Sequence, residues 1–412
     1  MQGIKKTCED GQVPLIEELM TPEGEELLAH VTPYSPDRIL PLTQSLRNQG
    51  YHPDLIALAF TQAQLRAQAT TKFGPFAERM LFTRDGLEQA TRLSVAVHHA
   101  RRFTNAGITI MADITAGIGA DSLAFGASGL HVHAVEKDHT TALIAAHNVR
   151  PFPEVHVTHG DGLDYVTSGA PVAGIYADPA RRQQGKRLFD PAAHHPPLPA
   201  VWDLAARVNG ALGVKVGPGI NHEDIPADTE AQWVSVSGEV VEAGIWFGPL
   251  AQHRGHTALL INAEGHHHTF TAHPSNTEPE IAAPGHYGTT LIEPDGALIR
   301  AGLVADLAQR IGAQLLDPHI AYLTTDSDHI PLADGVRLGR AYQITDVLPY
   351  TVKNLRGYLR ERKVGSVEIK KRGVDITPEK LRPQLGLAGP NRATVILTRV
   401  KDSRIAMIGH PL

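Results

Sequence analysis

From Gly107 to about Gly217, short apolar segments typical of strands alternate with segments typical of helices. The strand-like segments are GITIMADIT, HVHAVEKD, VHVTHGD, VAGIYADPARR and GALGVKVGP. Two longer apolar segments, AQWVSVSGEVVEAGIWFG and TALLINAEG, follow and are predicted to close the sheet. Because strands joined through helices run parallel to one another, this alternation predicts a doubly wound α/β sheet.

The regions on either side of this alternation follow other patterns. The first hundred residues carry apolar residues at helical spacing, as in DLIALAFTQAQLRAQATTKF, and predict a helical domain. From about Pro279 onward, strands and helices follow without regular alternation, which indicates a separate α+β domain. A chain of 412 residues is also long enough for more than one domain. We therefore predict a helical domain at 1–106, the α/β domain at 107–278 and the α+β domain at 279–412.

The composition excludes several classes of protein. Hydrophobic residues make up 42% of the chain and charged residues 20%, as in an ordinary globular protein. Cys8 is the single cysteine, so an intrachain disulfide and a thiolate metal cluster are both excluded, and we predict no metal site. No uncharged apolar segment approaches the roughly 18 residues that cross a bilayer, and no signal peptide is recognisable. We expect a cytoplasmic protein with no membrane partner.

The net charge of −6 is unevenly distributed along the chain. From Gly339 to Leu412 there are 15 Lys and Arg against 6 Asp and Glu, whereas the preceding residues hold 23 basic and 38 acidic side chains. A basic terminal module on an acidic body can attract a polyanion. Charge alone is equally compatible with a solvated surface that binds nothing.

The segment DITAGIGAD, from Asp113 to Asp121, forms a glycine-rich turn between a strand and a helix. A phosphate-binding loop of the ATPase type would end in Gly-Lys-Ser/Thr, but Gly119 is followed by Ala120. The dinucleotide motif G-x-G-x-x-G also fails, because Ser122 replaces its third glycine. A phosphate at the helix start would moreover be repelled by Asp121, so the loop favours a ligand that is not an anion.

A cationic ligand fits this loop better. S-adenosylmethionine carries a sulfonium and an ammonium group, which Asp113 and Asp121 would attract, and glycines would let its adenosine approach the backbone. Glu136 ends the next predicted strand, 23 residues beyond Asp113, near the spacing at which a carboxylate binds ribose hydroxyls. Asp161 ends the third strand, where it could accept from the adenine amine or cap the following helix.

These motifs, in this order, resemble those of the class I S-adenosylmethionine-dependent methyltransferases. DITAGIG is similar to their motif I, Glu136 to their ribose-binding acid, Asp161 to their adenine-side acid, and ADPARR occupies the place of their D/N-P-P-x motif. The resemblance implies a Rossmann-like sheet of seven strands that binds S-adenosylmethionine. Carried onto this chain, the cofactor-binding residues are Asp113, Thr115, Ala116, Gly117, Gly119, Asp121, Glu136, Lys137, Asp161, Gly162 and Asp178.

The resemblance extends to both ends of the chain. The whole sequence is similar to a bacterial group in which this catalytic domain precedes a THUMP-like domain, and VGSVEIKKRG resembles part of that domain. The helical segment KFGPFAERMLFTRDGLEQATRLSVAVHHARRF resembles the one that precedes motif I in trimethylguanosine synthases. THUMP-type domains are associated with RNA, so the resemblance implies an RNA partner.

The ADPARR segment predicts how the methyl acceptor is held. In the D/N-P-P-x group, the acid and the following backbone carbonyl accept hydrogen bonds from an exocyclic amine, and Asp178 and Pro179 are predicted to do so here. The sequence departs from that motif, because Ala180 replaces the second proline and Arg181 the aromatic residue that stacks on a flipped base. The segment also resembles the motif of uridine C5-methyltransferases, but those enzymes need a cysteine nucleophile after it, and none follows.

Basic residues are the candidates for binding the substrate. Arg181 and Arg182 are predicted to contact nucleic-acid phosphate, with pairing to the acidic body as the alternative. Lys215 is predicted to lie at the same edge of the sheet, where it would contact substrate or pair with Asp178. In the terminal domain, the candidates are Lys370, Lys371 and Arg372. A docking surface against the acidic body is the alternative for these terminal residues.

Together these features predict an S-adenosylmethionine-dependent methyltransferase that acts on RNA, on a base nitrogen of tRNA or rRNA. Two alternatives stay open at this point. The substrate could instead be a small molecule or a protein, and the departure at ADPARR is compatible with a protein that binds S-adenosylmethionine and RNA without turnover.

Overall fold

The computed structural model describes residues 15–180, 182–183, 186–187, 193–272, 280–283, 285–328, 330–401 and 403–412. These residues belong to two compact units. The first unit extends to Val216 and includes His222–Thr229 and Ile245–Gln252; the second contains Gly217–Asn221, Glu230–Gly244 and His253–Leu412.

Helices dominate the described part of the first hundred residues. They are α1 (Leu15–Glu18), α2 (Pro22–Val31), α3 (Ile39–Asn48), α4 (Pro53–Phe73), α5 (Arg84–Gln89) and α6 (Leu93–Asn105). Side chains at their starts accept the N–H groups that a first helical turn leaves without partners: Thr21 caps α2 and His52 caps α4. The long helix α4 packs against α2 and α6 and buries Phe60 and Phe73.

The predicted alternation of strands and helices begins directly after α6. Its elements are β1 (Ile110–Asp113), α7 (Ala120–Ala127), β2 (His131–Glu136), α8 (His139–Asn148), β3 (Val155–His159), α9 (Gly162–Thr167), β4 (Gly174–Ala177), β5 (Arg182–Gln183), β6 (Lys186–Arg187), α10 (Leu198–Trp202) and β7 (Leu212–Val216). Strands β3, β2, β1, β4 and β7 are neighbours in that order and all run parallel. Their carboxyl ends therefore lie at one edge, where open α/β sheets bind ligands.

Four further strands complete a sheet of nine among the described residues, two more than the seven that the sequence predicts. They are β8 (Glu230–Val236), β9 (Glu239–Trp246), β10 (Gly255–Ile261) and β11 (His267–Thr271). The full strand order is β11-β10-β8-β9-β7-β4-β1-β2-β3. AQWVSVSGEVVEAGIWFG thus forms two strands instead of one, because Ser237 and Gly238 adopt φ angles of 52° and 83°. Positive φ at both central residues is what a two-residue hairpin turn of type I′ requires.

The remaining chain forms a mixed sheet with helices. Its elements are β12 (Thr290–Pro294), α11 (Gly296–Arg300), α12 (Val304–Ile311), β13 (Gln314–Asp317), β14 (Ile320–Thr325), β15 (Leu332–Ala333), β16 (Val336–Arg337), β17 (Gly339–Pro349), α13 (Val352–Glu361), β18 (Val364–Lys371), α14 (Pro378–Leu381), β19 (Asn391–Val400) and β20 (Ser403–Pro411). The larger sheet has the order β13-β14-β12-β17-β20-β19-β18. Leu355 and Leu359 of α13 pack with Val395 and Ile408 of this sheet in one apolar core.

Gly162 offers a test of how tightly the candidate edge of the sheet is packed. A Cβ atom at Gly162 would collide with the backbone carbonyl oxygen of Ile114, whereas a Cβ at Gly160 would find only Val135 Cγ1, at 4.0 Å. We expect Gly162→Ala to lower the free energy of unfolding by about 1–3 kcal/mol, because backbone must move to relieve the overlap. Gly160→Ala is the matched control and should change it by less than about 0.5 kcal/mol. Urea unfolding measures both; equal midpoints for the two variants would contradict the close packing.

Candidate active site

The glycine-rich loop connects β1 to α7 and turns by means of two left-handed glycines. Gly117 and Gly119 have φ angles of 55° and 84°, a region that L side chains rarely adopt. The N–H of Gly119 donates to the carbonyl of Ala116 at 2.8 Å, and the N–H of Ala116 donates to Val135 at 3.0 Å. A Cβ atom on Gly117 would meet nothing within 4 Å, so there is open space beside this backbone.

Asp113, which ends β1, is buried beneath the loop. One of its carboxylate oxygens accepts the Ser122 hydroxyl at 2.6 Å, and the other accepts the N–H of Thr115 at 3.4 Å. Burial raises the pKa of Asp113 to about 7; the hydrogen bond from Ser122 opposes this shift, and the nearby charge of Asp121 adds to it. Ionisation of the Asp113 carboxyl therefore costs more free energy in the folded protein than in the unfolded chain.

Glu136, which ends β2, lies directly beside the loop. Its carboxylate accepts the N–H of Gly117 at 2.9 Å and the N–H of Asp138 at 2.8 Å. Burial raises the pKa of Glu136 above its ordinary value, while these backbone donors lower it. The sequence-predicted ribose acid and the sequence-predicted glycine loop are therefore in direct contact.

Asp161 and Lys137 form an ion pair at the ends of β3 and β2. Lys137 Nζ lies 3.0 Å from Asp161 Oδ2, and the hydrogen bond from Lys137 holds the pKa of Asp161 below its ordinary value. The other Asp161 oxygen accepts the N–H groups of Leu163 and Asp164 and so caps α9. The helix cap was one of the two roles predicted for Asp161; the contact with adenine stays a prediction.

Asp178 follows β4 and is held at two points. Its N–H donates to the Thr115 hydroxyl at 2.6 Å, which joins it to the residues of the glycine loop. Its carboxylate lies 2.5 Å from Lys215 Nζ on β7, so the pairing of Lys215 with Asp178 that the sequence left open is observed. Just beyond Pro179, the backbone of Ala180 exchanges hydrogen bonds with His195. Arg181 lies outside the described residues, and Arg182 is described only as backbone of β5.

Behind Lys215, a chain of buried polar groups leads back to the helical segment. Lys215 Nζ donates to the Thr91 hydroxyl at 2.9 Å, and Thr91 donates to Asp121 Oδ2 at 2.7 Å. Asp121 Oδ1 is 2.8 Å from His99 Nδ1, which is also 3.0 Å from the Tyr176 hydroxyl. Burial alone would raise the pKa of Asp121, but the hydrogen bond and charge of His99, with the charge of Lys215, lower it.

Several residues of this arrangement were not found from the sequence. Thr91, His99, Tyr176 and Ser122 were not predicted as site residues, and Thr91 and His99 precede Asp121 by 30 and 22 residues. Such pairings depend on how α6 packs on the sheet, which hydrophobic periodicity does not specify. The pair of histidines in SVAVHHARRF could have drawn attention to this helix, because one of them, His99, is buried on the apolar side of α6. The sequence pattern alone does not show which partner a buried histidine has.

The basic residues predicted in the terminal domain differ in their surroundings. Lys370 and Arg372 both pair with the Glu293 carboxylate, at 2.9 and 3.3 Å. Lys371, between them, is exposed. Successive residues of an extended strand face opposite sides, so Lys370 and Arg372 share a face packed within the domain and Lys371 lies on the other.

The described residues contain neither a cluster of metal-binding side chains nor a helix suited to cross a membrane. No group of three or more His, Cys, Asp or Glu side chains in this part of the chain is arranged to hold a metal ion. None of its helices combines the length and apolar character that a bilayer crossing would need.

Known proteins with similar sequences identify the family. Two proteins of Mycobacterium tuberculosis, from strains CDC 1551 and H37Rv, are each 32% identical to this chain over 348 residues, which cover 82% of this chain and 90% of the relative. Both are described as uncharacterized S-adenosylmethionine-dependent methyltransferases. The chain belongs to the S-adenosylmethionine-dependent methyltransferases. The predicted enzyme class and its cofactor, S-adenosylmethionine, are thereby confirmed.

Two segments of this methyltransferase match known domain families, and its fold is similar to that of a solved structure. Residues 339–411 match the family described as THUMP domain-like, which confirms the predicted C-terminal domain type, and residues 13–69 match a domain family of unknown function, DUF8688. The crystal structure of a putative methyltransferase from Porphyromonas gingivalis W83 is similar with a TM-score of 0.69 and 21% identity, covering 94% of this chain and 98% of that one. This likeness confirms the predicted methyltransferase fold.

The raised pKa of Asp113 makes the stability of the cofactor-free enzyme depend on pH. Below the ordinary value of 3.8 the carboxyl is protonated in both the folded and the unfolded chain, whereas between about pH 4 and pH 7 only the unfolded chain ionises readily. The contribution of Asp113 to stability is therefore lost as pH rises through this window. We expect Asp113→Asn, which cannot ionise, to be more stable than wild type by about 2–4 kcal/mol at pH 8, with the difference shrinking toward pH 4.

Urea unfolding at several pH values checks this expectation. Asp203→Asn is the control, because Asp203 is an exposed carboxylate in the same unit. A difference between Asp113→Asn and wild type that stays constant from pH 4 to pH 8 would show that the buried carboxyl does not carry a raised pKa.

Proposed function

We propose that this methyltransferase methylates RNA, at a base nitrogen of tRNA or rRNA, with the acceptor amine held by Asp178 and the Pro179 carbonyl. The observation that carries the proposal is the hydrogen bond from the Asp178 N–H to Thr115, which puts the candidate acceptor site next to the glycine loop. S-adenosylmethionine supplies an electrophilic methyl group. The remaining task of the chain is to align the nucleophile with it, and positioning of this kind accounts for much of the rate acceleration.

The residues around the loop suit S-adenosylmethionine. The open space beside Gly117 allows close approach to the backbone, and the Glu136 carboxylate at the loop can accept from sugar hydroxyls. The carboxylates beneath the loop favour a cation over a phosphate. We propose the same cofactor contacts as the sequence predicts: Asp113, Thr115, Ala116, Gly117, Gly119, Asp121, Glu136, Lys137, Asp161, Gly162 and Asp178. We retain the domain boundaries at 1–106, 107–278 and 279–412 as a proposal.

Asp178 is suited to accept a hydrogen bond from an amine. Its ionised carboxylate can only accept hydrogen bonds and has about four lone-pair sites, and the ion pair with Lys215 favours the ionised form. An exocyclic amine that donates to Asp178 and to the Pro179 carbonyl has its lone pair directed away from both. When the new N–C bond forms, the C–S bond breaks and its electrons stay on sulfur; the nitrogen then loses a proton to water. Arg181 and Arg182 are proposed to contact the phosphates that flank the base.

Helix α13 in the THUMP-like domain supplies a surface that suits RNA. Lys353, Arg356 and Arg360 are all exposed and are spaced by three and four residues, which places them along one side of the helix. Leu355 and Leu359 on another side are buried in the core. A row of exposed cations fits contacts with the phosphates of structured RNA. We add Lys371 to this proposed surface, whereas Lys370 and Arg372 are paired with Glu293.

The proposed reaction is tested by methyl transfer from labelled S-adenosylmethionine. We expect wild type to label an RNA fraction, and Asp178→Ala to lower kcat at least about 10²-fold because the acceptor amine loses its positioning partner. Asp203→Ala, which removes an exposed carboxylate of the same unit, should be as active as wild type. Circular dichroism shows whether each variant is folded. Label confined to protein or to small molecules would contradict RNA as the substrate, and tight binding of cofactor and RNA without transfer would contradict an active enzyme.

The α13 surface gives a second prediction. Arg356→Ala combined with Arg360→Ala should weaken RNA binding and reduce the slope of log Kd against log salt by about 0.7–0.9 for each lost phosphate contact. Arg47→Ala, an exposed arginine of helix α3, is the matched control and should leave the slope unchanged. Fluorescence anisotropy with labelled tRNA at several salt concentrations measures the slope. If the double variant and the control gave equal slopes, α13 would not be part of the RNA surface.

A further inference from the structure

We propose that Thr91 is a positioning residue for methyl transfer: its hydroxyl fixes the ammonium of Lys215, and Lys215 in turn fixes the carboxylate of Asp178. Thr91 lies in the short connection between α5 and α6, in the helical segment that precedes the glycine-rich loop. This inference rests on the role proposed above for Asp178.

The hydrogen bonds through Thr91 have a fixed direction. A lysine ammonium can only donate, and an ionised carboxylate can only accept. Thr91 Oγ1 lies 2.9 Å from Lys215 Nζ and 2.7 Å from Asp121 Oδ2, so the hydroxyl accepts from the lysine and donates its one proton to the carboxylate. Both capacities are needed at once, and an apolar side chain of the same size supplies neither.

Because Thr91 and Lys215 are both buried, loss of the Thr91 hydroxyl should affect the position of the lysine. Thr91 and Lys215 are 4% and 5% exposed. Hydrogen bonds to charged groups are stronger than neutral ones, and a buried charge that loses a partner costs free energy. Without the Thr91 oxygen, the Lys215 ammonium loses one of its hydrogen-bond acceptors and is expected to change position. The Asp178 carboxylate, which is paired with this ammonium, is expected to shift with it.

The far end of the chain is anchored independently of Lys215. Asp121 also contacts His99 on α6, and His99 contacts the Tyr176 hydroxyl on β4, the strand that leads into Asp178. Thr91 therefore connects a fixed carboxylate to the movable end of a lysine. The backbone of Asp178 is held separately by Thr115, so loss of Thr91 should displace the carboxylate more than the main chain.

Two substitutions separate positioning from a merely structural role. Thr91→Val keeps the shape of the side chain and removes the hydroxyl, whereas Thr91→Ser keeps the hydroxyl. We expect Thr91→Val to lower kcat about 10- to 100-fold, as a misplaced catalytic group does, with KM for RNA and Kd for S-adenosylmethionine changed less than about twofold. Thr91→Ser should recover kcat to within about threefold of wild type. Thr104→Val, at an exposed threonine of α6, is the control and should behave as wild type.

A readout that needs no substrate keeps this inference separate from the proposed function. Reductive methylation with formaldehyde and borohydride modifies lysines that are accessible, and peptide mass spectrometry gives its rate at each site. We expect Lys215 to react several-fold faster in Thr91→Val than in wild type or Thr91→Ser, while exposed Lys353 reacts equally in all three. If wild type does not methylate RNA, the proposed function is wrong. Faster labelling of Lys215 in Thr91→Val would still support the contact between Thr91 and Lys215 in that case. An unchanged kcat in Thr91→Val, or an unchanged rate at Lys215, would overturn the positioning role, as would equal losses in the Val and Ser variants.

Discussion

The candidate site depends on the contacts of the buried Lys215 ammonium with Asp178 and Thr91. This ammonium lies between Asp178, 2.5 Å away, and Thr91, which connects it to Asp121. A buried lysine is tolerated only when its charge is matched and its donors are engaged, so the ends of β4 and β7 must come together with the correct side chains. The same requirement ties the helical segment to the sheet, because Thr91 and His99 precede the first strand in sequence yet complete the charge arrangement behind it.

This arrangement leaves more negative than positive groups near the glycine loop. Asp113 lies beneath it with a pKa raised to about 7 by burial, and Glu136 lies beside it with a pKa that burial also raises. Groups that are costly to ionise in the free protein become less so when a cation arrives. The carboxyl groups of Asp113 and Glu136 lower the stability of the free protein when they ionise. This arrangement suits a ligand that carries positive charge, as S-adenosylmethionine does.

The sequence predicted most of the sheet and the order of its motifs, because these depend on local periodicity and on turn residues. The strands from β1 to β7 follow apolar runs, and Gly117 and Gly119 adopt the left-handed conformations that only glycine takes readily. The place of Glu136 at the same edge as the loop follows from the rule that parallel strands end at one edge, but its hydrogen bond with Gly117 was not predicted. The strand count did not follow: the sheet has nine strands among the described residues instead of the seven expected, because the hairpin at Ser237 and Gly238 divides one long apolar segment and His267–Thr271 adds β11. The roles of Thr91 and His99 were equally out of reach, because tertiary packing alone brings them to Asp121.

A structure with bound S-adenosylhomocysteine tests the central claim most directly, because it shows the loop, Glu136, Asp178 and Lys215 together. The account predicts the ligand beside Gly117, its ribose hydroxyls donating to Glu136, and the Asp178 carboxylate still paired with Lys215 and facing the sulfur. A ligand bound elsewhere, or a Lys215 released from Asp178 to contact the ligand itself, would contradict it.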